Sequence, residues 1–126
     1  AHDVGRAINP RAVIGQVEGG AVMGMGYALS EELVLEEGHV RNGDLRKYKV
    51  PRSPSTPEVD PILVEAAAAE GPFGAKGVGE ITSIPTAPAI TNAIHAACGV
   101  RVDRLPCTPE RLLEGIMSRG QGEGDK

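Results

Sequence analysis

The stretch Gly15-Gln-Val-Glu-Gly-Gly-Ala-Val-Met-Gly-Met-Gly-Tyr-Ala-Leu29 decides more about the fold of this 126-residue chain than any other. Apolar or small residues (Val17, Ala21, Val22, Met25, Tyr27, Ala28, Leu29) cover almost every side of a helix drawn from Gln16 to Glu32. A helix that is apolar all round belongs in an interior. Four glycines inside it, Gly19, Gly20, Gly24 and Gly26, each cost about 1 kcal/mol relative to alanine. Close approach of another backbone, or of a ligand, is the compensation that fits, and it makes this helix central.

Around the helix the pattern is mixed. Residues 1–15 read as an extended segment and a turn, with Asn9-Pro10 as the break. Leu33 to Asn42 reads as a hairpin around Glu36-Glu37-Gly38. Residues 43–58 are loop-like, with Pro51, Pro54 and Pro57. Ile62 to Glu65 is a short strand. A second glycine run, Gly71-Pro-Phe-Gly-Ala-Lys-Gly-Val-Gly-Glu80, follows it. Beyond Glu80 the spacing of Ala87, Ile90, Ile94 and Ala97 predicts a helix, with Thr86 as its cap and Gly99 as its stop. Val100 to Leu105 alternates apolar and charged like a half-buried strand. Thr108-Pro109-Glu110 opens a last helix, with Leu112, Leu113 and Ile116 on its apolar face. The expected fold is therefore α+β: a buried glycine-rich helix, a β-hairpin, short strands and two C-terminal helices. Residues 1–118 form one segment, and 119–126 are expected to be a disordered tail.

Composition narrows the function. Lys and Arg total 13 against 17 Asp and Glu, and no basic run suggests nucleic acid. No apolar stretch is long enough for a membrane span, and no signal peptide opens the chain. With no Trp, one Phe and two Tyr, the core has to be built from small aliphatic residues. Cys98 and Cys107 lack disulfide or metal-ligand patterning and fit free thiols in a reducing, cytoplasmic setting. His2, His39 and His95 are scattered, so no metal site is expected from this chain's own side chains.

Two residues stand out chemically. Glu80 is delivered at the end of a loop shaped by glycine, where it is either a general base or an acid favouring a helix start. The run is neither a phosphate loop nor a dinucleotide fingerprint, because Lys76 is followed by Gly77 and the glycine spacing differs. Gln16 opens the glycine-rich helix with an amide that both donates and accepts. Its plainer reading is a polar residue at a helix start. Lys76 reads as an exposed loop lysine that could meet an anion.

These motifs together resemble the C-terminal part of the molybdenum-binding subunit of the xanthine dehydrogenase/aldehyde oxidase family. The resemblance runs over residues 1–117. It is carried by Asp3-Val-Gly-Arg-Ala-Ile-Asn-Pro10, Gly15-Gln-Val-Glu-Gly-Gly20, Gly24-Met-Gly26, Glu31-Glu32, Asn42, Tyr48-Lys-Val-Pro51, the glycine run ending at Glu80, Leu105-Pro106 and Thr108-Pro-Glu110. It implies a portion of a larger molybdopterin-binding domain. The implied activity is hydroxylation of an N-heterocycle, purine or aldehyde with oxygen from water. Glu80 matches the family's general base, and Gln16 matches a glutamine that hydrogen-bonds the pterin. Gly15, Gly77 and Gly79 by the same match let the backbone approach the cofactor.

The resemblance also implies partners. These are the upstream part of the molybdenum subunit, iron–sulfur and FAD domains or subunits, a small-molecule substrate and an oligomeric assembly. Two cysteines cannot hold an iron–sulfur cluster that needs four. The chain is thus expected to begin inside a larger polypeptide and to be inactive alone. The competing reading is a stand-alone α+β domain or assembly module, derived from the same family, that binds no molybdenum.

Overall fold

A computed structural model describes residues 1–122, and the architecture is α+β. In chain order the elements are β1 (His2–Asp3), α1 (Pro10–Leu29), β2 (Leu35–Glu36), β3 (His39–Val40), α2 (Leu45–Tyr48), β4 (Leu63–Val64), α3 (Thr86–Cys98) and α4 (Pro109–Gly122). Two single 3-10 turns lie at Ser53–Ser55 and Pro72–Gly74. Helix α1 is the centre, and α3 lies against it.

Helix α1 starts six residues before the expected Gln16. Asn9 and Pro10, read from sequence as a break, form its start instead. The Asn9 side-chain oxygen accepts from the Ala12 N–H at 3.1 Å, and Pro10 fills the first turn, where a missing N–H costs nothing. Burial on α1 follows one stripe, Val17, Gly20, Gly24 and Ala28, joined near its end by Gly26. Met23 and Tyr27 stand 57% and 60% exposed. All-round burial is therefore not what these residues alone provide: one side of α1 is covered by α3 and its approach, and another is bare.

Two glycines explain the covered side. A Cβ on Gly20 would lie 1.9 Å from the Thr82 hydroxyl, and one on Gly24 would lie 2.6 Å from Thr86 Cβ. Thr86 is the first residue of α3 rather than its cap, and its side chain packs at Gly24 instead of turning back to the helix start. Pro85 occupies the cap position with no side-chain bond. Gly99, at φ 72°, ends α3 as expected, in the left-handed conformation glycine accepts without strain.

The sheets are minimal. β1 and β4 pair in parallel, His2 opposite Leu63 and Asp3 opposite Val64. β2 and β3 form the expected hairpin, Leu35 opposite Val40, with Glu37 and Gly38 both at positive φ in the turn. The expected loop at 43–58 contains one turn of helix, α2, capped by the Asp44 carboxylate on the Arg46 N–H at 2.8 Å.

The expected strand Val100–Leu105 does not form: these residues are irregular. Val100 is buried against α4, where a Cβ on Gly115 would meet it at 2.6 Å. The Cys107 N–H donates to the Ala28 carbonyl at 2.7 Å. The segment is thus packed between helices, and its alternation records burial rather than strand pairing. Helix α4 begins as read, with Pro109 first and the Thr108 hydroxyl accepting from the Arg111 N–H. It continues to Gly122, so residues 119–122 of the expected tail are helical. Arg119 donates to the Cys98 carbonyl at 3.1 Å and joins this last turn to α3. The rest of the expected tail, 123–126, lies outside the described residues.

Packing is built from small side chains, as the composition requires. Val4, Val17, Ala28, Ala87, Val100 and Cys107 are buried. A half-buried ion pair supports them: Arg111 donates to both carboxylate oxygens of Glu32, at 2.7 and 2.9 Å, and Arg104 adds a bond at 3.1 Å. These guanidinium groups, Arg111 first, hold the Glu32 carboxyl below its ordinary value.

Candidate functional site

The glycine run is stitched to the N-terminal segment along its first half. The Arg6 and Ala68 N–H groups both donate to the Gly74 carbonyl, at 2.8 and 3.0 Å. Gly5 and Ala75 form a single bridge, and the Lys76 N–H donates to the Val4 carbonyl at 3.0 Å. Gly5 stands at φ 62° with the Gly74 carbonyl where a side chain would sit, so only glycine fits there. The Lys76 ammonium, read from sequence as an exposed loop lysine that could meet an anion, pairs with the Asp3 carboxylate. That carboxylate also accepts from the Gly5 and Ala66 N–H groups, at 3.0 and 3.3 Å. The Lys76 bond is the chief cause holding Asp3 below the ordinary carboxylate range.

After Lys76 the stitching stops. Gly77 and Gly79 face open space: a Cβ on either would meet nothing within 4 Å. Glu80 follows, exposed, on the turn that leads into α3. Its carbonyl accepts from the Ser83 N–H at 3.1 Å and from the Ser83 hydroxyl at 2.9 Å, so the turn is closed just behind it.

Gln16 lies in the second turn of α1 rather than at its start, with its side chain exposed. Gly15 beside it is as bare as Gly77 and Gly79. The Thr82 hydroxyl joins the two places: it donates to the Gln16 carbonyl at 3.1 Å, and Thr82 is only 2% exposed. The α1 turn carrying Gln16 and the turn carrying Glu80 are thus in direct hydrogen-bond contact across 66 residues of sequence. Sequence reasoning passed over Thr82. Its signal was the four-residue spacing of Gly20, Gly24 and Ala28, which marks a small-residue groove that some neighbour has to enter.

Three clefts lie elsewhere. One of about 570 Å³ lies between the end of α1 and residues 46–55, lined by Met25, Leu29, Arg46, Lys49, Val50 and Arg52 among others. A second runs along α4 past Arg104 and Arg111, and a third lies beside Met23, Tyr27 and Tyr48. Glu80 and Gln16 line none of these three. Among the described residues, no group of three or more His, Cys, Asp or Glu could hold a metal ion. No helix of the described residues is long and apolar enough to cross a membrane.

What the arrangement offers is an open surface: one amide, one carboxylate and bare glycine backbone on two segments joined by Thr82. Known proteins are similar to the chain in sequence and shape. The molybdopterin cofactor-binding domain family matches residues 1–57. The xanthine dehydrogenase molybdenum-binding subunit of Escherichia coli is 44% identical over 115 residues, covering 90% of this chain and 15% of that protein. Quinoline 2-oxidoreductase from Pseudomonas putida 86 superposes with a TM-score of 0.84 at 31% identity, over 91% of this chain and 15% of its own. The aldehyde oxidoreductase of Desulfovibrio gigas gives 0.82 at 38% identity, over 91% and 12%. The chain therefore spans roughly an eighth to a sixth of the length of the relatives it matches. By sequence and by fold, it belongs to the xanthine dehydrogenase/aldehyde oxidase family of molybdenum hydroxylases, in the C-terminal part of the molybdenum-binding subunit.

Proposed function

We propose that this chain supplies one face of the active site of a cytoplasmic molybdenum hydroxylase that hydroxylates an N-heterocycle, purine or aldehyde with oxygen from water. Glu80 is its general base, and Gln16 with Gly15, Gly77 and Gly79 forms its contribution to the cofactor site. The observation that carries this reading is the bare backbone. Gly20, Gly24 and Gly26 have their side-chain space filled by this chain, whereas Gly15, Gly77 and Gly79 have not. Glycine with nothing against it leaves room for a bulky group to approach the main chain. A molybdenum–pterin cofactor fits such a surface, since it meets hydrogen-bonding groups and an open backbone and needs no metal ligand from these side chains.

When bound, that cofactor supplies the two-electron redox chemistry, and iron–sulfur and flavin units elsewhere in the assembly carry the electrons on. The chain's own residues do the rest. The Gln16 amide donates and accepts at once, which suits the mixed donor and acceptor edge of a pterin. The Glu80 carboxylate accepts the proton that leaves as oxygen is transferred, a role worth on the order of 10²- to 10⁴-fold in rate. Upstream sequence of a longer molybdenum subunit provides the remaining walls and the substrate contacts.

The test is Glu80→Gln in the complete, cofactor-loaded enzyme. Turnover is expected to fall by about 10³-fold or more with molybdenum content unchanged. Hydroxylation near the wild-type rate would remove Glu80 from this role.

A further inference from the structure

We propose that Asp3 and Lys76 are positioning residues for Glu80: their ion pair anchors one end of a slack three-residue bridge, and Thr82 anchors the other. The inference rests on the reading of Glu80 as the base and adds what holds it in place. From Gly74 to Lys76 the glycine run is fixed to the N-terminal segment. The last fixed point is Lys76 itself, through its N–H to the Val4 carbonyl and its ammonium to Asp3. Gly77, Val78 and Gly79 then make no hydrogen bond among the described residues. The next tie is local, the Glu80 carbonyl accepting from Ser83, and the next tie to another element is the buried Thr82 hydroxyl on the Gln16 carbonyl.

A bridge with glycine at two of three positions has wide backbone freedom. Its end point is therefore set by its anchors rather than by its own conformation. The Asp3 carboxylate suits the task because it gathers three segments: its own strand through Gly5, the exit of β4 through Ala66, and the loop through Lys76. The paired side chains are 37% and 39% exposed. An ion pair so exposed to solvent adds little to stability. Its loss leaves Lys76 held only by its N–H to Val4 and loosens the loop without unfolding the chain, so a positional effect is separable from a structural one. Displacement of a reacting group by about 1 Å is enough to cost on the order of 10²-fold in rate.

The experiment compares Lys76→Met, Lys76→Arg, Asp3→Asn and Glu80→Gln in the assembled, cofactor-loaded enzyme, with amide hydrogen exchange measured on the same samples. For K76M and D3N, kcat is expected to fall by roughly 10- to 100-fold with KM within about twofold and molybdenum content unchanged. K76R is expected to recover most of the rate. Exchange at the hydrogen-bonded amides that flank the bridge, Lys76 and Ser83, should rise about tenfold in K76M and D3N while α3 stays protected. If E80Q is inactive but K76M and D3N keep wild-type kcat and exchange, the positioning inference falls and Glu80 stands. If E80Q is active, the base assignment falls and this inference with it. If D3N fails to assemble, the K76M and K76R pair decides: equal rates and equal exchange in the two overturn the inference.

Discussion

The glycines of α1 divide into two kinds that look identical in sequence. Gly20 and Gly24 are filled: Thr82 and Thr86 occupy the space where their side chains would be, and the Ser83 carbonyl lies 2.8 Å from a Cβ at Gly24. Gly15 and Gly19 are bare: among the described residues, nothing outside their own helix backbone lies within 4 Å of an added Cβ. The first kind is explained by the fold as it stands. The second kind costs helix stability with no packing among the described residues in return. The contrast separates a packing glycine from a candidate binding glycine by what sits against it.

Substitution tests the contrast through the sign of its effect. Gly24→Ala and Gly20→Ala should destabilise the chain most, by about 1–2 kcal/mol net, since overpacking outweighs the gain in helix propensity. Thermal or denaturant unfolding measures this, and an unchanged midpoint for both would break the division. Gly15→Ala and Gly19→Ala should instead stabilise the isolated chain by up to about 1 kcal/mol. In the assembled enzyme the same Gly15→Ala change should lower the molybdenum–pterin content. Normal loading would remove Gly15 from the cofactor surface.

The smallest effect concerns the far end of α1. The folded-state value of Glu32 is depressed, chiefly by Arg111. Its contribution is therefore fully present above the ordinary glutamate value of about 4.3 and is lost as pH falls through the lower, folded value. Glu32→Gln should flatten that acid-side loss of stability and cost about 1 kcal/mol or less at neutral pH, the pair being partly exposed. Parallel acid-melting curves for the two proteins would count against the pairing.

Much of this was legible in the sequence where the signal is local. The hairpin turn, the Gly99 stop, the Thr108-Pro109 start and the small-residue core are each set by a few neighbouring residues. The Asn9-Pro10 start of α1 was misread because the same pair suits a turn and a helix cap. Val100–Leu105 was misread because alternation reports which side chains are buried, not which partner buries them. Glu80 and Gln16 could be named from sequence as candidates, but not the hydrogen-bonded link between their segments. Thr82 to Gln16 spans 66 residues and Lys76 to Asp3 spans 73. No local pattern encodes those ties.

Those spans also set an order of events during synthesis. At 5–20 residues per second, the ribosome takes roughly 3–13 s to pass from Gln16 to Thr82. Throughout that interval α1 has no α3 to cover its groove, and its glycines give it little helical tendency of its own. The two segments that carry Gln16 and Glu80 can meet only after α1 has waited, unfixed, for the turn that contains Thr82. The surface they form is therefore completed only after Thr82 has been made, and the ties of Cys107 to Ala28 and of Arg111 to Glu32 close later still.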